Sequence, residues 1–531
     1  MYRPLRSVFF ATAVLAVSCS TTSSSDEAQP AGTSPGAVTT TTGIPDVLAF
    51  ADVPLTLRIS VPTMDFIEPH LVDETNTVQV MITDLLTDGL AIRHAASGIA
   101  EPGIASSWST SSDGLRWTFI LGDVSFSDGT PILAVDVVAS LNRVAAQGVS
   151  SISGPNLWPI VGWEDAEADS VEGILALDDS TVQLTLSERF EPLAQVLSGV
   201  SFGITPAEKG VVGELPLGSA IDFKATALWE DGVRFQAEQV NGEISTIELF
   251  IDPDHTLLAS GETDLSVSFD PDRPLGDLRG STVQRSADAF FAMNAKVAPF
   301  DDVMIRQAIV KVIDRESIRD EFFPNAGVMQ GFVPQQVLGG VADACASSCE
   351  RDLDQAQLRV DASPSRDVPF TVDYFTDPAS FDDSEQRLAE FIASSLRDVG
   401  LVATARSHTP EDFGLRAARG ELGLFRFGSV STTLTAEADL GAMFHTAGRD
   451  NLTGTSIARF DALIAASRTE PNPVVRASIY EQAERVLFGQ AVVLPLVEFR
   501  HHLAFGPTLV GAGLEPDGSL DLDAMEFSPE N

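Results

Sequence analysis

The chain has 531 residues, 44% of them hydrophobic and 21% charged, with 76 acidic against 33 basic side chains and a formal net charge of −43. That length exceeds what a single hydrophobic core fills, so at least two lobes are expected. A field this negative repels nucleic-acid phosphates and anionic lipid headgroups, which argues against both as partners, and it suits a solvated surface that favours neutral or cationic ligands.

At the N-terminus Arg3 and Arg6 precede an apolar run from Val8 to Val17 that is too short to span a bilayer and reads as an export signal. The run ends Ala16-Val17-Ser18-Cys19, which resembles a bacterial lipobox with Ala16 in place of the usual leucine. Cys19 is then the lipidated mature N-terminus; ordinary cleavage beside an incidental cysteine is the alternative. Residues 1–18 are assigned to a lipoprotein signal peptide and 19–50 to a disordered linker, too rich in Ser, Thr and Pro to bury a core. No later stretch is long and apolar enough to span.

Leu55, Leu57 and Ile59 alternate as a strand, which Pro62 and Pro69 interrupt before a helix over Thr77 to Leu86 that buries Val78, Met81, Ile82 and Leu85. Strands are predicted at Leu115 to Leu121 and Val124 to Phe126, between turns at Ser112-Asp113-Gly114 and Ser127-Asp128-Gly129. Thr130 or Pro131 opens the next helix, with Val135, Val138, Ala139 and Leu141 as its buried stripe. Val171 to Leu177 and Thr181 to Leu186 pair around an acidic turn, and Thr246 to Ile251 is a further strand. After the apolar stretch Ala289 to Met293, Asp301 or Asp302 caps a helix that buries Ile305, Ile309, Val312 and Ile313. Ser347 and Glu350 form a capping-box pattern. Phe370, Val372 and Tyr374, then a helix through Leu388, Ile392 and Leu396 closed by Gly400, then Leu401 to Ala405, make a βαβ unit and hence a parallel sheet.

Catalytic patterns are sparse. Gly199-Val200-Ser201-Phe202-Gly203 matches a nucleophile elbow, but Ile204-Thr205-Pro206 disfavours the helix that must follow such a serine. Asp252, Asp254 and His255 read as turn and cap residues, and His501-His502 is the one histidine cluster, an alternative metal site. The sequence holds no HExxH and no phosphate-binding glycine loop, so no catalytic residue, metal or cofactor is assigned. Cys345 and Cys349, with three residues between them in an exported chain, favour a small disulfide loop over half of a zinc site.

The block from Gly98 to Ala145, with Trp108, Asp113, Gly114, Phe119, Phe126, Asp128, Gly129 and Asp136, resembles the signature of the family 5 extracellular solute-binding proteins, the peptide, dipeptide and nickel receptors of bacterial ABC importers. Further blocks at Val171 to Leu197, Ile247 to Val267, Phe290 to Ile318, Asp450 to Arg468 and Arg476 to Phe499 resemble the same family. The resemblance implies an α/β, two-lobed periplasmic-binding-protein-like fold of type II, in the large cluster with an extra subdomain, and a ligand cleft between the lobes. Its expected division is 51–288 for the first lobe, with the extra subdomain at about 85–200, then 289–494 for the second lobe and 495–531 returning to the first.

It further implies a lipoprotein on the outer face of the cell membrane that closes by hinge motion on a small solute, peptide or peptide-like. The solute passes to permease subunits served by a separate ATPase. A monomer that touches the membrane through its lipid alone is expected. A sensing or chaperone-like lipoprotein without transport is the alternative, and a secreted serine hydrolase at Ser201 a remoter one. By position the ligand-binding candidates are Met64, Asp65, Phe66, Phe291, Asn294, Phe427, Ser429 and Thr432, each with a core or loop role as its alternative. Where relatives read Gly-Trp and then an aspartate that pairs with a peptide's α-amino group, this chain has Gly428-Ser429 and Thr432, which weakens the expectation of peptide recognition of that kind.

Overall fold

The computed structural model describes residues 55–528 apart from 65–67, 95–96, 149–151, 164–169, 209–217, 220–222, 230–231, 238–243, 268–272, 275, 377–382 and 432. Cys19, Asp65, Phe66 and Thr432 therefore lie outside the described residues.

Two long strands, Arg279–Met293 and Val493–Phe505, run antiparallel through the centre of an eleven-stranded sheet. Beyond Val493–Phe505 lie Leu265–Val267, Leu55–Val61, Ile244–Ile251, Gly232–Ala237 and Phe223–Trp229; beyond Arg279–Met293 lie Leu424–Val430, Phe370–Phe375 and Ala403–His408; and the short Gly327–Val328 also pairs with Val493–Phe505, off this order. Leu55–Val61 is parallel to both neighbours and turns Leu57, Ile59 and Val61 to one buried face, while Arg58 between them is exposed. The expected βαβ unit forms: Phe370–Phe375 pairs parallel with Ala403–His408, and Ser384–Asp398 is the helix between them.

Each end of the two central strands belongs to a different core. Leu503 and Phe505 pack with Leu57, Ile59, Met81 and Leu249, together with Leu514, Leu520 and Met525 from the C-terminal segment. Ala289 to Met293 and Val493 to Val497 pack instead with Ile305, Phe332, Leu396 and Phe444. Between these cores the pairing breaks. Arg285, Ser286 and Ala287 stand opposite Phe499 alone, and a second irregularity falls at Phe290 opposite Pro495, whose nitrogen cannot donate to the ladder. Bulges bend and twist a strand pair locally, and this one falls where the chain passes from one lobe to the other.

An antiparallel four-stranded sheet, Ala105–Thr110, Arg116–Leu121, Thr181–Thr185 and Ile174–Asp178, forms a subdomain with the helix Ala134–Gln147 and a core of its own around Phe119, Leu141, Val182 and Phe190. Here local structure departs from expectation. Val124 to Phe126 is no strand, because Phe126 donates to the Thr130 carbonyl and Ile132 to that of Val124, which closes a tight loop bridged at Ser125 and Pro131. That loop consumes Thr130 and Pro131, so the helix begins at Ala134, where the Asp136 carboxylate accepts the Leu133 amide. The later start moves the buried stripe to Val137, Leu141, Val144 and Ala145 and leaves Val135 exposed.

Ser347 and Glu350 form no capping box; Ala346–Cys349 is a single turn, and the helix Leu353–Ala362 starts at Asp352, whose carboxylate accepts the Gln355 amide. Cys345 and Cys349 are disulfide-bonded with Cα atoms 5.5 Å apart, inside the second core. The loop that this bond closes is short, so the double variant Cys345→Ser/Cys349→Ser is expected to lose no more than about 2 kcal/mol in urea unfolding and to keep the native sheet signal in circular dichroism.

Candidate ligand cleft

The lobes meet on either side of the bulged strands. Arg468, on the second-lobe helix Ala458–Thr469, bonds Glu437 Oε1 through Nε at 2.9 Å and Nη2 at 2.6 Å. Its guanidinium lies 4.8 Å from the Trp158 ring centroid and 3.7 Å from the Glu188 carboxylate, and its carbonyl accepts the Glu191 amide at 2.8 Å. Trp158, Glu188 and Glu191 all belong to the first-lobe subdomain, where Trp158 packs edge-on against Phe190. Burial disfavours the Arg468 charge, but Glu437 and Glu188 outweigh this and hold its pKa above the usual value. A second approach places Gly98 of the first lobe against Leu338 of the second.

The floor is built from the central strands. In the sheet Asp288 stands between Ser429 and Glu498, and Ser429 Oγ donates to Asp288 Oδ2 at a long 3.4 Å. Glu498 accepts from Gln284 Nε2 at 3.2 Å and Arg500 Nη2 at 3.4 Å. Beyond Leu424–Val430, Ser431 donates its amide to the Ser286 carbonyl, and buried hydroxyls run Ser431, Thr433, Thr435 at 3.4 and 3.3 Å. Leu434, between two of them, has a φ of 44°, a strained value for a side chain of that size. The next turn, Glu437–Gly441, is a π-helix, a form common at functional sites, and it carries Asp439. Glu484, from the helix Pro473–Gly489, gives Oε1 to the Phe332 and Val333 amides.

Four carboxyl groups thus gather where the lobes join. Burial pushes Asp288 well above the ordinary carboxylate range, with Asp439, Glu498 and Glu484 adding repulsion. Burial, then Glu484, does the same to Asp439. Burial raises Glu484 to about 7 against its two amide donors, and it also raises Glu498. None of the four is among the residues singled out from the sequence. One signal was present: an acid inside the apolar run Ala287 to Met293.

The sequence candidates fall into three groups. Ser429 lies on this floor, and Phe427, two residues before it, is half-buried with its ring 5.6 Å from that of Phe290. Met64 is half-buried against the first core. Phe291 and Asn294 lie in the interior, in keeping with the alternative role of each. Phe291 is fully enclosed in the second core, and Asn294 spends its amide on the Gly420 carbonyl and its oxygen on the Lys296 amide. The apolar surroundings of Phe291 come from the lobe's packing, which a position in the chain does not disclose.

Other motifs resolve as structure. Ser201 lies in the 3-10 turn Val200–Phe202, 1% exposed, and donates to Glu74 Oε1 at 2.6 Å rather than facing a histidine. Asp252 caps the helix Thr256–Ser260 through the Leu257 amide, and His255 bonds Ser266. His501 and His502 lie on opposite faces of their strand, His501 with Thr77 and Pro516, His502 with Thr282 and Asn325. Burial holds His501 down to about 3. Among the described residues no group of three or more His, Cys, Asp or Glu is disposed to hold a metal ion, and no helix is long and apolar enough to cross a membrane.

Two lobes threaded by a pair of antiparallel strands, a subdomain on the first lobe and a polar floor where they join define a two-lobed binding protein of the periplasmic type. Residues 100–219 and 212–451 match the model of bacterial extracellular solute-binding proteins, family 5 middle, and the chain belongs to that family. It is 23% identical over 455 residues to heme-binding protein A of Haemophilus influenzae, covering 77% of this chain and 80% of the relative. It is 25% identical over 488 residues to the probable di/tripeptide-binding protein 5 of Pseudomonas aeruginosa, covering 83% of this chain and 90% of that one. The structure of HbpA2 from Haemophilus parasuis shares the fold at a TM-score of 0.73 and 21% identity, covering 90% of this chain and all of that one, 100%. These relatives are binding proteins, in keeping with a non-enzymatic role.

The buried acids make stability depend on pH in a definite direction. Glu484, at about 7 in the fold against its ordinary 4.5, keeps its proton over a range where the unfolded chain has lost it. Its contribution is therefore fully present below pH 4.5 and is lost as pH rises through 7. Glu484→Gln stays neutral and still accepts the two amides, so urea unfolding at pH 5 and pH 8 should show a smaller loss than in the parent protein, by on the order of 2 kcal/mol. An unchanged difference would mean that Glu484 ionises freely in the fold.

Proposed function

We propose that this chain is the solute-capturing component of an ABC importer. It takes up a small solute, peptide or peptide-like, between its lobes and delivers it to a membrane permease served by a separate ATPase. The observation that carries this reading is the register break at Arg285 to Ala287, where both connecting strands pass between independently packed cores. Such a pair is a hinge, and a ligand with greater affinity for the closed form shifts it by that difference. Family membership supports the reading, and the different solutes in its relatives' names, haem and di- or tripeptides, fit a shared frame whose cleft lining varies. Met64, Phe427 and Ser429 are proposed as lining residues, with Asp65, Phe66 and Thr432 retained by position. Cys19 is proposed as a lipid anchor on the outer face of the membrane, with the chain working as a monomer.

Mass spectrometry of small molecules released from the purified protein, with small-angle scattering as they are added back, tests the reading. A retained solute and a smaller radius of gyration are expected; no retained molecule and no saturable change with peptide pools would contradict it. The contacts of Arg468 with Trp158 imply a further result. Trp158→Ala removes the first lobe's part of that contact without touching the Arg468–Glu437 pair, so it should enlarge the unliganded protein in scattering and weaken solute binding about fivefold, the size of one partly buried cation–π contact.

A further inference from the structure

We infer that His408 is a pH-sensitive clasp in the second lobe: a doubly protonated ring that ties the helix Pro410–Ala418 to the sheet and lets it loosen when the ring gives up a proton. Both ring nitrogens face carboxylate oxygens, Nε2 at 2.8 Å from Asp373 Oδ1 and Nδ1 at 3.0 Å from Asp412 Oδ2. A neutral imidazole has one N–H and one lone pair, so it donates to one acid and turns its lone pair on the other. Only the imidazolium bonds both. The His408 side chain is 5% exposed and that of Asp373 0%, so solvent ions screen the inner bond little.

The two acids belong to different layers. Asp373 lies on Phe370–Phe375, opposite Arg406 of the edge strand Ala403–His408, and Phe375 lies opposite His408. Asp412 lies in the first turn of the helix, which begins two residues after His408. Phe413, next to it, packs on the same side, with its ring 5.2 Å from that of Phe375, 6.0 Å from that of His408 and 6.2 Å from that of Phe425. The ring thus closes the polar end of an otherwise aromatic contact between helix and sheet.

The charged groups around the ring set the sign of the effect. Asp373 Oδ1 also accepts Arg406 Nε at 2.6 Å, and its Oδ2 accepts Thr371 Oγ1 at 2.7 Å. Asp412 Oδ2 also accepts Arg416 Nε at 2.8 Å, and Arg416 reaches on to Glu421 at 3.2 Å. Leu424–Val430 brings Phe425 to this side and no charge, and Ser384–Asp398 places Arg397 on the Ala403 carbonyl. As pH rises through the ring's titration one of its two bonds is lost. Arg406 and Arg416 still pair the acids, so the helix loosens without leaving the sheet. On the acid side the clasp lasts until Asp412 takes a proton, and Arg416 and His408 hold that carboxyl below the usual range. The helix directly precedes Leu424–Val430, the strand that carries Phe427 and Ser429, but the inference stands apart from any solute.

The test reads ring and helix separately in the purified full chain. Long-range proton–nitrogen spectra of histidine-labelled protein, with His408→Gln to identify the signal, follow the ring from about pH 5.5 to about pH 9. Hydrogen exchange with mass spectrometry, corrected for the intrinsic rate, follows the helix over the same range. Both nitrogens are expected to carry protons at the acid end. Protection of the helix should fall about tenfold with the ring's own midpoint, as the loss of one charge-assisted bond implies. Asp412→Asn should abolish that pH dependence, because an amide accepts from the charged ring and donates to the neutral one. His408→Gln should leave the helix equally exchangeable at both ends of the range; Asp412→Asn and the ring spectra decide the matter should that variant not fold. A ring with one protonated nitrogen at the acid end, or with two still at the alkaline end, would overturn the inference. So would helix protection that ignores the ring's titration, or that keeps its full pH dependence in Asp412→Asn.

Discussion

The structure depends on two strands long enough to serve two cores and unable to pair regularly throughout. A continuous ladder from Arg279 to Met293 would fix both lobes as one slab. Three residues without a partner on Val493–Phe505, Arg285, Ser286 and Ala287, and the missing donor at Pro495 concentrate the irregularity of this pair where apolar packing changes hands. Below the break, Leu503 and Phe505 commit the strands to the first lobe; above it, Ala289 to Met293 commit them to the second. Packed cores resist continuous deformation, so the hinge motion proposed above would be taken up in that narrow band.

The same band collects charge. The chain's excess of acids, a net −43, is on the whole a matter of solvated surface, but Asp288, Asp439, Glu484 and Glu498 differ in kind because they have left water. Their positions follow from the fold: Asp288 and Glu498 face each other across the central strands, Asp439 rides the π turn after the strained Leu434, and Glu484 is fixed by the Phe332 and Val333 amides. Across the mouth, Arg468 couples the lobes through a ring, a carboxylate and a backbone bond together. Individually these contacts are modest, which suits the reversible closure proposed above.

Much of the fold was legible in the sequence where local pattern and tertiary demand agree. Leu55, Leu57 and Ile59 alternate because their strand is central, and Phe370 to Ala405 reads as βαβ because each element's period matches its layer. The reading failed where a tertiary bond overrode the local signal. The loop bonds at Phe126 and Ile132 displaced the helix start past Pro131, and with it the buried stripe. The cleft was least legible. Ser429 was reached through a turn, whereas Phe291 lies in the second core and Asn294 is held by the Gly420 carbonyl and the Lys296 amide. Asp288 and Glu484 acquire their meaning from partners distant in sequence, which a one-dimensional pattern does not carry.

Hinge closure about the Arg285 to Ala287 break is the central claim, and a distance across the mouth measures it most directly. Spin labels at Ser112 in the first-lobe subdomain and Arg459 in the second lobe, both exposed, would report it, with Gln357 and Arg459 as a control pair within one lobe. The account predicts that solute released from the protein shortens and narrows the Ser112–Arg459 distribution while the control stays fixed. An unchanged Ser112–Arg459 distribution at saturating solute would contradict it.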